Sequence, residues 1–82
     1  MDTSDIPYAV GVQFYEYGVW SKPYIYKSFV KYEIEDIVIV PVRSFYSIGK
    51  VSACTKIHVF KPKIDYKFII GSVTELVNAS NH

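Results

Sequence analysis

The clearest hydrophobic pattern in the chain runs from Ile34 to Phe60 and predicts two β-strands joined by a hairpin. The run from Ile37 to Val42 is apolar and rich in β-branched residues, which is typical of a strand. After Gly49 the chain alternates, with Val51, Ala53, Thr55, Ile57 and Val59 on one face and Lys50, Ser52, Cys54, Lys56 and His58 on the other. A period of two predicts that the first of these faces lines a core and that the second meets water.

Three further segments have strand character. Residues 8 to 15 alternate, with Val10 and Val12 on one face, and Gly18 then predicts a turn or a bulge. Residues 24 to 29 are rich in β-formers, but both of their faces carry aromatic side chains, so the pattern does not say which face is buried. Residues 67 to 70 predict a short fifth strand.

Five short strands separated by turn signals predict an all-β fold, and we expect a small five-stranded SH3-like barrel, with an OB-like barrel as the alternative. Pro41 cannot donate a backbone hydrogen bond, so its strand must be an edge or carry a bulge there. We expect one barrel domain over residues 8–77, a flexible lead-in over residues 1–7 and a frayed tail over residues 78–82.

Composition adds expectations about the setting of the protein. Half of the 82 residues are hydrophobic and 17% are aromatic, which is generous for a domain of this size. The single cysteine cannot form an internal disulfide, which favours a reducing compartment. The amino terminus has no signal-peptide pattern, and no apolar run approaches the ~18 residues that span a bilayer. We therefore expect a cytoplasmic protein without a membrane partner.

The residues that usually carry catalysis are poorly placed. Cys54 and His58 lie four residues apart on one strand, hence ~13 Å apart, too far for a thiolate–imidazole pair or a shared metal. His82 is the terminal residue, and the glycines are too scattered for a phosphate-binding loop. We expect no enzyme activity, no catalytic residue, no metal, no cofactor and no small-molecule substrate.

Basic residues interleaved with aromatic ones are the remaining candidate chemistry. Residues 20 to 67 hold all nine basic residues and four acidic ones, a balance of +5 in a chain of net charge +1. The predicted binding surface combines the hairpin tip with the second strand, and its residues are Arg43, Phe45, Tyr46, Lys50, Lys22, Tyr24, Tyr26, Lys27 and Lys31. Aromatic rings and cations of this kind bind single-stranded nucleic acid. The alternative is that the tyrosines pack the core or its rim, with their hydroxyls in water.

The central segment also resembles a known family. Asp36, Val38, Val40-Pro41, Gly49 and Val51 match the pattern of the small amino-terminal barrel of the primosomal helicase family, although Glu35 stands where that pattern has glycine. The whole chain is similar to short phage proteins whose ending resembles residues 66–73 here. The first resemblance implies a barrel that binds the 3′ ends of DNA, and the second implies a phage-encoded protein.

Three functions are compatible with these observations. The first is a non-enzymatic module that binds and modulates a host replication, transcription or defence protein. The second is a module that binds single-stranded DNA or its 3′ end. The third is a minor structural component of a virion. The modest number of cations places the protein-binding function slightly ahead.

Overall fold

The computed structural model describes residues 6–56 and 60–74, and these fold as an all-β domain. The strands are β1 (Tyr8–Gln13), β2 (Tyr15–Glu16), β3 (Val19–Trp20), β4 (Tyr24–Ser28), β5 (Ile37–Val42), β6 (Phe45–Thr55) and β7 (Gly71–Ser72). Five of them form one antiparallel sheet in the order β4-β1-β6-β5-β7, while β2 and β3 form a separate hairpin. The predicted all-β class with a five-stranded sheet is confirmed.

The core lies on one face of this sheet and is built mainly from valine. Five valines are fully buried side chains, namely Val10, Val12, Val38, Val40 and Val51. Tyr26 and Tyr32 complete the buried cluster, and Tyr8, Phe14, Val42, Cys54 and Ile69 pack against it. The inward face of β4, which the sequence left open, is therefore the one that carries Tyr26 and Ser28.

A β-bulge in β6 corrects the predicted facing of that strand. Gly11 pairs with Ala53 and Val12 pairs with Val51, so that Ser52 has no partner across the ladder. The extra residue reverses the alternation: Val51 points into the core, Ala53 is exposed, and Cys54 packs against the core instead of facing water. The Ser52 hydroxyl donates a hydrogen bond to the Gly11 carbonyl at 3.3 Å. Ile57, His58 and Val59 lie outside the described residues.

The predicted fifth strand is displaced towards the carboxyl end. Residues 67 to 70 are not a ladder strand; they form one parallel bridge from Phe68 to Lys27 on β4, and regular pairing with β5 begins only at Gly71. Ile69 donates to the Lys27 carbonyl and Ile70 to the Ile39 carbonyl, both at 2.9 Å. The sheet does not close through strand pairing, but this segment, which passes from one edge strand to the other, links its two ends.

The hairpin tip between β5 and β6, predicted over residues 43–47, is shorter in the structure. Val42 pairs with Phe45, so only Arg43 and Ser44 form the turn, and Phe45 and Tyr46 already belong to β6. Arg43 adopts a φ of 55°, as a two-residue hairpin turn often requires. β7 pairs with β5 only at Val38 and Ile39, which leaves Pro41 on an edge as predicted.

Two other turns use the left-handed region of backbone space. Tyr17 and Gly18 have φ values of 53° and 82° and connect β2 to β3, which confirms the predicted turn at Gly18. Glu35, at the position where the resembled pattern has glycine, has a φ of 76°. The predicted lead-in and tail fall almost wholly on residues 1–5 and 75–82, which the structure does not describe.

Candidate interaction surfaces

The side of the β5–β6 ribbon that faces away from the core carries large apolar side chains. We call this surface the outer face, and it consists of Ile37, Ile39, Pro41, Tyr46, Ile48 and Lys50. The ladder pairs these residues directly across the two strands, as Ile37 with Lys50, Ile39 with Ile48, and Pro41 with Tyr46. Ile48 and Tyr46 are 61% and 71% exposed. The outer face is therefore mainly apolar, with Ile37, Tyr46 and Ile48 exposed and the other three residues half-buried.

The β2–β3 hairpin extends this surface. The Lys50 ammonium lies 4.0 Å from the centre of the Trp20 ring, and that ring makes an edge contact with Tyr15 at 5.2 Å. Tyr17 at the turn is also exposed, and so is Val19, which pairs with Glu16 and lies on the opposite face of the hairpin from Trp20. Sequence reasoning missed these four hairpin residues because it treated residues 8 to 15 as one strand. The usable signal is the Tyr17-Gly18 turn between short aromatic and β-branched segments.

Phe45 and Tyr46, predicted to act together at the hairpin tip, point to opposite sides of β6. Tyr46 lies on the outer face, whereas Phe45 shares the core side of the ribbon with Val42, its partner across the ladder. Both are exposed, because they lie at the end of the ribbon beyond the packed core. The predicted single surface is therefore divided between two sides of the sheet.

The core side of the tip forms one wall of an open cavity of about 570 Å³, which we call the aromatic cleft. Its lining residues are Phe14, Glu16, Tyr24, Tyr26, Val42, Arg43, Phe45 and Ser47. The structure thus brings Tyr24 of the predicted second strand beside Arg43 and Phe45 of the hairpin. The rings of Phe14 and Tyr24 are 5.9 Å apart and tilted by 53°.

A second cavity, of about 590 Å³, lies beside β4, and we call it the basic cleft. It is lined by Lys22, Pro23, Tyr24, Ile25, Tyr26, Lys61, Ile64, Asp65, Tyr66 and Lys67. Lys67 donates to Asp65 at 2.8 Å, and this hydrogen bond is the main reason why the pKa of the Asp65 carboxyl is lowered. Lys22 lies 5.7 Å from the centre of the Tyr24 ring. The basic cleft therefore combines lysines with aromatic rings.

Three predicted binding residues differ in position from the rest. Tyr26 belongs to the core, with 9% of its surface exposed, and its hydroxyl donates to the Pro41 carbonyl at 3.1 Å, so it cannot offer a stacking face. Burial raises the pKa of this phenol. The Lys27 ammonium lies over the rings of Phe60 and Phe68, at 5.4 and 5.8 Å from their centres. Lys31 is exposed in the loop after β4 and lines neither cleft.

Residues 6–56 and 60–74 contain no group of three or more His, Cys, Asp or Glu side chains that could hold a metal ion. Cys54 is a free, half-buried thiol, and both histidines lie outside the described ranges. Over the same ranges there is no helix of the length and apolar character needed to cross a membrane.

No protein-family model, no curated protein and no solved structure matches this chain. The geometry of these surfaces is accordingly the basis for the proposed mode of binding.

Proposed function

We propose that this protein is a non-enzymatic interaction module that binds an apolar surface of another protein through its outer face and its β2–β3 hairpin. The observation that carries the proposal is the row of exposed apolar side chains Tyr46 and Ile48 on β6, which the half-buried Lys50 links to the exposed ring of Trp20. Single exposed apolar residues are ordinary on protein surfaces, but a contiguous group of this kind marks an interaction site.

The composition of this surface supports the same proposal. Tyrosine and tryptophan are the residues most enriched where protein interfaces gain their binding energy. Trp20 lies against a lysine and Tyr15, which hold its ring in place before a partner arrives. A side chain that is already ordered loses less conformational entropy on binding. Isoleucines on a strand are likewise stiff and suited to a flat contact.

The class of partner that we propose is based on the resemblance of the sequence to short phage proteins. On that basis we propose a host replication, transcription or defence protein, bound in the host cytoplasm. The exposed apolar surface would cover a matching surface of that protein and so modulate its activity.

The test compares capture of host proteins by three forms of the module: wild type, Ile48→Lys and Ile64→Lys. Both substitutions replace an exposed isoleucine by a charged lysine. Ile64 lines the basic cleft, whereas Ile48 belongs to the outer face. We expect Ile48→Lys to lose a partner that wild type and Ile64→Lys retain, and nuclease treatment to leave capture unchanged. Equal capture by wild type and Ile48→Lys would rule out docking on the outer face.

A second candidate function, binding of single-stranded nucleic acid, is favoured by the basic cleft. Because Asp65 is paired with Lys67, the ammonium groups of Lys22 and Lys61 are the cations left to meet phosphates in this cleft. The rings of Tyr24 and Tyr66 line the same space, and a base stacked on such a ring contributes about 1–3 kcal/mol.

This second candidate is tested by the salt dependence of binding to a fluorescently labelled oligothymidylate. Replacing Lys22 and Lys61 together by alanine should flatten the slope of log affinity against log salt by about 1.4, because each contact with single-stranded phosphate contributes about 0.7. Lys63→Ala is the control, since Lys63 is exposed but lines neither cleft. An unchanged slope in the double variant would remove the basic cleft from consideration.

A further inference from the structure

The aromatic cleft is a groove between two hairpins. One wall is Phe14 and Glu16, at the start of the β2–β3 hairpin, and the other is the tip of the β5–β6 hairpin with Arg43 and Phe45. Tyr24 and Tyr26 line it between these walls. The Tyr26 hydroxyl bonds to the Pro41 carbonyl, so the β4 side of the groove is tied to the β5 side. The groove is therefore preformed, and its volume falls in the range that holds a small ligand or a few residues of a peptide.

The polar groups of the groove carry opposite charges. Glu16 contributes a carboxylate on one wall, and Arg43 contributes a guanidinium on the other. Tyr24 and Ser47 also line the groove, and their hydroxyls can donate hydrogen bonds to a ligand. The Glu16 carboxylate repels the phosphates of a nucleic acid. A peptide, in contrast, can carry one basic residue to pair with Glu16 and one acidic residue to pair with Arg43.

We propose that the aromatic cleft binds a short, extended, proline-containing peptide segment of a partner protein. Three properties of the cleft match that ligand. Its aromatic lining suits proline rings, and its hydroxyl donors suit the free carbonyls of a polyproline II segment. Its preformed shape suits a segment that is already extended and therefore loses little entropy on binding. An arginine or lysine of the peptide pairs with Glu16. The inference rests on the proposed function, that the module binds proteins, but it uses the opposite side of β6.

Binding is measured by fluorescence anisotropy with a labelled synthetic peptide of leucine–proline repeats that carries an arginine at one end and an aspartate at the other. The control peptide has serine in place of every proline and the same two charged ends. We expect the proline peptide to bind about tenfold more tightly than the serine peptide. Equal affinity, or no binding of either peptide at about 1 mM, overturns the proposal.

Two neighbouring residues provide matched variants. Phe45→Ala removes a ring from the cleft, and Tyr46→Ala removes a ring of similar exposure from the outer face. We expect Phe45→Ala to weaken peptide binding about tenfold and Tyr46→Ala to change it less than about twofold. Because both side chains are mostly exposed, both variants should keep the thermal unfolding profile of wild type. Equal weakening by the two variants contradicts the assignment to the cleft.

The charge match has its own test. Glu16→Gln should weaken the arginine-bearing peptide but leave a version with glutamine in place of arginine unchanged, and the difference should shrink at high salt. Equal effects on both peptides contradict the pairing. These peptide tests can fail without affecting the outer-face proposal. That proposal is tested by protein capture with Ile48→Lys, a substitution that does not alter the aromatic cleft. A last experiment uses the variant in which Lys22 and Lys61 of the basic cleft are both alanine. If oligothymidylate still displaces the peptide from this variant, the aromatic cleft itself binds nucleic acid, and the inference is overturned.

Discussion

β5 and β6 carry valine or isoleucine on both of their faces, yet the two faces have opposite environments. On the inner face Val38, Val40 and Val51 are fully buried, while on the outer face Ile37 and Ile48 are 39% and 61% exposed. The inner face packs against β1 and β4, whereas the described residues leave most of Ile48 exposed. Similar residues at adjacent positions of one ribbon can therefore serve folding on one side and binding on the other.

The largest expected effect separates the two faces by stability. Val40→Ala removes two buried methyl groups and leaves a cavity, so it should lower the free energy of unfolding by roughly 2–3 kcal/mol. Ile48→Ala removes more carbon atoms but should cost less than about 1 kcal/mol, because most of that surface is already in water. Urea unfolding measures both. Equal losses would mean that the outer face is covered in the native molecule, for example by a second copy.

The inner face has no space for a side chain at Gly49. A methyl group added there would overlap Cγ1 of Val12 and would lie 3.2 Å from the Gln13 carbonyl oxygen. Gly49→Ala should therefore cost about 1–3 kcal/mol through overpacking.

Gly18→Ala serves as the control for Gly49. Apart from its chain neighbours, no atom of residues 6–56 and 60–74 lies within 4 Å of a methyl added at Gly18, so its cost, about 1 kcal/mol, comes from the φ of 82°. If Gly49→Ala unfolds at the same urea concentration as wild type, β1 and β6 pack less closely than described.

A polar contact also fixes the inner face. Tyr26→Phe removes the hydrogen bond from the Tyr26 hydroxyl to the Pro41 carbonyl and should cost about 0.5–1.5 kcal/mol. Calorimetric or urea unfolding at neutral pH measures the loss. A loss near zero would indicate that water replaces the hydroxyl, and the groove between β4 and β5 would then be open to solvent.

The same tyrosine predicts a dependence on alkaline pH. Because burial raises the pKa of Tyr26 above its unfolded value of about 10, its contribution to stability is complete below pH ~10 and is lost as the pH rises through the folded pKa. Wild type should therefore lose more stability than Tyr26→Phe between about pH 9 and pH 11. Parallel pH profiles of the two proteins would contradict the burial of this phenol.

The smallest effect belongs to the outer face. Lys50→Ala removes the cation over Trp20 and should cost about 0.5–1 kcal/mol, as for exposed cation–π pairs. Trp20 is the single tryptophan, so its fluorescence reports the loss directly, with a shift of emission towards longer wavelength. Lys63→Ala should leave that emission unchanged. An unshifted spectrum in Lys50→Ala would separate the hairpin from the outer face.

The class of fold and most of the strands were predictable from the order of the residues alone. The segment from Tyr8 to Gln13 indicates a strand by its alternation, and the run from Ile37 to Val42 indicates one by its β-branched residues. Gly18 and Pro41 marked a turn and an edge for the same local reason, namely the limits that these residues place on the backbone.

Which strand faces are buried, and which distant residues come into contact, depends on long-range packing. The bulge at Ser52 reverses the facing of the rest of β6, and it arises from pairing with Gly11, 41 positions earlier in the chain. The separation of Phe45 from Tyr46, the burial of Tyr26 and the meeting of Trp20 with Lys50 depend on the same long-range packing. The local sequence pattern indicates that a strand has two faces. The packing of distant segments decides which face is buried in the core and which face remains free to bind.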